Sequence, residues 1–400
     1  MVNRWNGGRR IAFVPVSNSQ VDASLPPNFA ASVTERAFYD PDPQTGSDRS
    51  LQAYIHTVSS GWAHIDGQVL PPVVANDADT MGVAIDSLPA NHNFDYVVAV
   101  LPHSFGQHRG GFAWWDNPER NGVTAWARVA LFSDQGLSMR QNIGVWAMEV
   151  LHSVTEFGDL YNVSPQPGRF DVMACSCGTH PSSHTKSEMG WIHSGAIANH
   201  PTGTRRSYTL HAVSLPQPPP PGRVTSVKSK PASPGYYLIE ARLRTDEYEM
   251  QGPISSGIPS EGVVIYEVMG TTQVFLRASG LTAGQTFEDA ADKFSVRVSE
   301  AVAGGFRISV SLNPINRCRQ LQQQIDSLRA SIDLETDIHR RKQLISALQQ
   351  ALAEFRARGC VLIVDVGPAT EVTALFTPAP APAQDKPRER LKVTSPQEEE

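Results

Sequence analysis

Basic charge is in short supply: 34 Lys and Arg stand against 40 Asp and Glu over 400 residues, a formal net charge of −6. Such a chain has no field to attract nucleic acid or anionic lipid, so neither partner is expected. Long apolar runs are missing too. No stretch approaches the roughly 18 residues of a membrane span, and residues 11–16, IAFVPV, are too short for a signal h-region, so neither an anchor nor a leader is expected. Four cysteines, Cys175, Cys177, Cys318 and Cys360, are too few for a disulfide-built scaffold, and their even number leaves pairing open. What remains is ordinary globular material, 40% hydrophobic and 18% charged, with length for two or three domains.

The first half alternates strand and helix signals. Residues 11–16 and 95–101 read as buried strands, with further extended segments at 62–70 and 124–132. Leu51, Tyr54, Ile55 and Val58 recur at helical spacing, as do Met81, Ala84, Ile85 and Leu88, which predicts an α/β layer. A capping box at Ser138 and Gln141 is expected to open a largely buried helix through Ile143, Trp146, Ala147, Val150, Leu151 and Val154. Prolines 218–221 then interrupt the pattern, which places a linker at 215–223 after a first domain at 1–214. Beyond it, period-two segments at 236–243, 263–268, 274–278, 294–298 and 306–312 predict an antiparallel β-sandwich over 224–376.

Neither Gly nor Pro occurs between Pro314 and Gly359. There Cys318, Leu321, Ile325, Leu328 and Ile332 form one heptad seam, and Ile338, Ile345, Leu348, Leu352 and Phe355 a second, out of phase with the first. A turn at 333–337 resolves the phase break into a helical hairpin over 315–358, since one straight helix would separate its flanking strand-like runs by roughly 65 Å. The hairpin brings Cys318 and Cys360 near its base and is a candidate docking device for a protein partner. Residues 377–400, with alternating Pro and Ala and a terminal Glu run, are expected to be a disordered tail.

One more absence falls at the centre of the chain. Residues 146–159, WAMEVLHSVTEFGD, have the outline of the H-E-x-x-H helix of zinc peptidases, in which two imidazoles four residues apart reach one metal and the Glu polarises a water. Met148 stands where the first His belongs, and a thioether is a poor ligand for Zn²⁺. Glu149, His152, Glu156 and Asp159 lie at 3-4-3 spacing on one stripe that could hold a hard cation, although Glu156 reads more simply as a solvated helix edge. Met173 reads as a core methionine. Cys175, Cys177, His180 and His184 have ligand types at usable spacings but follow no standard zinc module, and read as a loop of free thiols and exposed histidines. His103 and His108 follow a core strand and receive no role.

Several runs together resemble the immune inhibitor A type of secreted metzincin metallopeptidases, over about residues 10–275. Ser50, Tyr54, Ser59, Gly61, Ile65, Gly67 and Val69 match one family run, and residues 148–161 its H-E-x-x-H-x-x-G-x-x-D-L-Y. Phe170, Asp171 and Met173 resemble its Met-turn, Lys186, Gly190 and Trp191 a later motif, and residues 236–242 with 262–266 the strands after its catalytic domain. The resemblance implies a metzincin-like α/β domain, export from the cell, zinc held by His152 and Asp159, Glu149 as general base, and Met173 beneath the metal. Besides Met148, the family's Gly is Thr155 here, and Gly158 and Asp159 are displaced.

Two readings follow. In one the chain is a catalytically degenerate member, a pseudoenzyme retained to bind or scaffold a protein or peptide through the cleft or the hairpin. In the other it is an active zinc endopeptidase that recruits a substitute ligand, and Glu149 takes a proton from metal-bound water.

Overall fold

The sequence folds into a mixed α/β structure, with three sheets among the described residues. The computed structural model describes residues 2–18, 25–76, 79–103, 111–114, 120–123, 125–132, 143–230, 235–312 and 315–357. The expected tail, the strand-like run at 361–366, the capping box at Ser138 and Gln141, and Cys360 lie outside the described residues.

The first sheet is built on β1 (Gly7–Asn18), which pairs in parallel with β2 (Ala63–Val69), with short β3 (Val73–Ala75) at its far end, and with β4 (Tyr96–His103). β4 pairs in parallel with β6 (Trp126–Phe132), and β5 (Gly111–Trp114) runs antiparallel to β6 at the edge, giving the order β2-β1-β4-β6-β5. A parallel sheet needs cover on both faces. Alternation in β1 supplies it: Ile11 and Phe13 enter a core with α1 (Phe29–Phe38), α2 (Leu51–Val58) and α4 (Gly144–Thr155), while Ala12, Val14 and Val16 face α3 (Thr80–Asp86). The expected α2 begins at its cap, with the Ser50 hydroxyl accepting the Ala53 N–H at 3.2 Å.

After α5 (Val172–Cys175) and α6 (Ser183–Glu188) the chain becomes β-rich. β7 (Ile197–His200), β9 (Ser226–Ser229), β10 (Tyr236–Arg242), β11 (Gly262–Val268) and β12 (Val274–Leu281) make one sheet in the order β12-β11-β10-β9-β7. β8 (Thr204–His211), β13 (Thr286–Asp289), β14 (Phe294–Val302) and β15 (Gly305–Leu312) make another, in the order β13-β14-β15-β8. Side chains of both meet in one core, where Tyr237 stacks on Phe294 at 4.1 Å between ring centroids.

Two expectations change here. The sheets take in β7 and β8, which precede prolines 218–221, so the 215–223 stretch interrupts the β region rather than introducing it. β8 hid its character because its exposed half, Arg205, Arg206 and Ser207, carries no apolar residue to mark the period. The pairing is also not wholly antiparallel, since β7 and β9 run parallel. Residues 1–361 cluster as one compact unit.

α7 (Ile315–Leu334) and α8 (Ile338–Ala357) turn at 335–337 and pack on each other through Leu321, Ile325, Ala351 and Phe355. Leu334 and Ile338, at the turn, are exposed at 83% and 71%, the phase break made visible. No helix among the described residues is long and apolar enough to cross a membrane.

Candidate functional site

The site lies on α4, of which every residue but Val145 is buried. Its start is pressed onto the 176–178 loop: a Cβ on Gly144 would lie 2.0 Å from the Ser176 carbonyl oxygen, so only glycine fits. Its end is Glu156, held in the left-handed conformation (φ 58°), where glycine is usual. That cap breaks the expected stripe. Glu156 turns away to accept a hydrogen bond from Asn3 Nδ2 at 2.7 Å, and the chain folds back so that Phe157 and Asp159 face His152.

His152 is bound at both ring nitrogens, Nδ1 by the Phe157 carbonyl oxygen at 2.5 Å and Nε2 by Asp159 Oδ1 at 2.9 Å. Both partners are acceptors, which suits the imidazolium. Burial works against that charge, but the hydrogen bond to Asp159 and the field of Glu149 outweigh it and raise the His152 pKa. The loop carrying Asp159 is fixed by Leu160, whose N–H donates to the Met173 carbonyl at 2.9 Å, and Met173 itself is fully buried. Met173 in turn rests on Asp171, whose carboxylate accepts from the N–H groups of Met173 and Ser182 and from the Thr185 hydroxyl.

Glu149 is 9% exposed, and burial pushes its carboxyl up to about 7, against a lowering by His152 and a further raising by Asp159. Strand β5 crosses directly over it, since a Cβ on Gly111 would come within 2.4 Å of Glu149 Cγ. Burial and the nearby Asp159 carboxylate raise the pKa of half-exposed Tyr161, and Arg128 lies within the field of Glu149. Sequence reasoning missed Gly111, Arg128 and the Phe157 carbonyl, which reach the site through pairing and chain reversal rather than through a motif.

Met148 is 3% exposed, and the Ser176 hydroxyl donates to its sulfur at 2.7 Å. The structure thus brings together Glu149, His152 and Asp159, while Met148, one helical turn before His152, is a packed thioether. Zinc fits these donors poorly: catalytic sites use three protein ligands, and here one imidazole and one carboxylate face each other. Among the described residues no group of three or more His, Cys, Asp or Glu is placed to hold a metal ion.

The candidates for a substitute ligand have other partners. His180 and His184 are buried rather than in an exposed loop, because α6 packs under β10. His180 Nε2 donates to Asp246 Oδ2 at 2.8 Å while Nδ1 accepts from Lys186 Nζ at 3.1 Å. His184 meets the Thr271 carbonyl at 2.8 Å, and Cys175 and Cys177 are joined as a disulfide instead of standing as free thiols. No protein-family model and no curated protein matches this chain.

Proposed function

We propose that the chain is a catalytically degenerate metallopeptidase-fold protein of the immune inhibitor A type, which binds or scaffolds a protein or peptide without cleaving it. On this reading the α/β half is a metzincin-like domain and the two facing sheets are its β-sandwich. The observation that carries it is Met148, buried and hydrogen-bonded where the family has its first imidazole. Without a metal-acidified water Glu149 has no potent nucleophile to activate, and its remaining chemistry is to hold or release a proton beside the His152 and Asp159 pair. The Cys175–Cys177 bond fits an oxidising compartment, in keeping with the secretion that the resemblance implies.

The test is elemental analysis of wild-type and Met148→His protein from one zinc-supplemented preparation, with a casein assay in the presence and absence of chelator. The wild type is expected to hold well under one zinc per chain and to leave casein intact. Met148→His is expected to raise occupancy at least severalfold. Near-stoichiometric zinc with chelator-sensitive cleavage in the wild type would overturn the reading.

A further inference from the structure

The outer face of the sheet formed by β13, β14, β15 and β8 carries arginines in two situations. Arg307 on β15 is paired with Glu300 on β14, so its charge is balanced within the sheet. Arg297 on β14 and Arg205 on β8 form no ion pair among the described residues. The register sets these two on either side of a row of hydroxyls: Arg297 faces Ser309, Ser295 faces Ser311, and Ser311 faces Arg205. All five project opposite to the core residues Val296, Ile308 and Val310. With strands about 4.8 Å apart and alternate residues about 6.8 Å apart, the two arginine Cα atoms are separated by roughly 12 Å. Arg205 leans across that gap, its Nε donating to Ser309 Oγ at 3.0 Å. Thr286 and Glu288 of β13 complete the wall of a cleft of about 240 Å³.

The chemistry of that wall narrows the ligand. No apolar side chain lines the cleft, so nothing there would seat a hydrophobic molecule. A bare oxyanion would meet both guanidinium groups but would be repelled by Glu288, which can only accept hydrogen bonds. Serine and threonine hydroxyls both donate and accept. Four of them, beside one carboxylate and two guanidinium groups, suit a ligand that has many hydroxyls and a carboxylate of its own. A uronic acid has that combination. The chain's net charge of −6 opposes polyanions at long range, so the recognition is local to these side chains.

We propose that this cleft binds an acidic polysaccharide through its uronate residues, with Arg205 and Arg297 on the carboxylates and Glu288, Ser295 and Ser311 on the ring hydroxyls. It shares no residue with the site on α4, and it stands whether or not that site is degenerate.

The test is isothermal titration calorimetry of the full chain with hexamers of galacturonate, mannuronate, guluronate and hyaluronan, each set against its carboxyl-reduced, neutral counterpart. At least one acidic hexamer is expected to bind at least tenfold more tightly than its neutral counterpart. Arg205→Gln and Arg297→Gln are each expected to weaken it at least fivefold, with thermal unfolding confirming that the fold is kept; should one variant not fold, the other carries the test. Glu288→Gln is expected to weaken binding at least threefold, whereas a site for anions alone would be strengthened by the loss of that charge. The proposal is overturned if no acidic hexamer binds, if acidic and neutral hexamers bind alike, or if sulfate or phosphate alone binds as tightly. Affinity left unchanged by both arginine substitutions, or unchanged or raised by Glu288→Gln, overturns it as well.

Discussion

At the residue scale, the site depends on two glycines that were not readable as functional, because a glycine's role is the absence of a side chain where another atom passes. Gly144 lets the start of α4 lie on the Ser176 carbonyl, and Gly111 lets β5 cross Glu149. Gly144→Ala would add a methyl 2.0 Å from that backbone oxygen, and backbone cannot rotate away as a side chain can. It is expected to cost about 1–3 kcal/mol of stability in urea unfolding, the range of overpacked interiors. A loss under about 0.5 kcal/mol would mean that the 176–178 loop yields freely. The side chains on the helix were easier to read. Glu149 and His152 stand together because positions three apart share a helix face. Asp159 was assigned to the same stripe by its spacing and to the site by the resemblance, but its actual approach to His152 depends on the left-handed turn at Glu156, a residue whose type does not announce that conformation. The same turn removes Glu156 from the stripe to which its spacing assigned it.

At the element scale, what could be read was whatever buried an apolar face. β1, β4, α2 and α3 repeat their periods cleanly because one or both faces enter a core, and the two heptad seams returned α7 and α8 with their turn. α1 escaped because it is short, and its inward stripe of Phe29, Val33 and Ala37 includes the buried Arg36. The hairpin shows how little apolar contact two paired helices can bury. Among the described side chains only Leu321, Ile325, Ala351 and Phe355 are fully covered, all toward the base. Phe355→Ala removes one of those four and is expected to cost about 3 kcal/mol locally. The expected result is a loss of helical circular dichroism corresponding to α7 and α8 at a lower temperature than the main transition, which should move by less than about 2 °C. A single transition shifted as a whole would show that the hairpin and the sheets unfold together.

At the scale of the whole molecule, the α/β sheet and the β-rich sheets are joined by charge rather than by apolar contact alone. Arg242 on β10 directs its five N–H groups to Glu240, Glu249 twice, and the carbonyls of Phe170 and His180, so the guanidinium is fully satisfied while buried. Lys186 on α6 lies in the same region, donating to the Val213 carbonyl at 2.8 Å and to His180, which in turn donates to Asp246. Burial, reinforced by the Arg242 charge, pushes the Lys186 ammonium down to about 7, against the opposing pull of Glu249, Asp246 and Glu240. In the unfolded chain the same group titrates near about 10.4. Between those values the unfolded chain binds a proton that the folded chain does not, so stability rises with pH from about 7 toward about 10. Below about 7 both states are protonated, and the full cost of burying the ammonium remains. Lys186→Met removes the group from the linkage, and the urea midpoint of the variant is expected to be flatter than that of the wild type across this window. Parallel curves for the two proteins would place the ammonium's ordinary pKa inside the fold and remove this source of pH dependence from the junction.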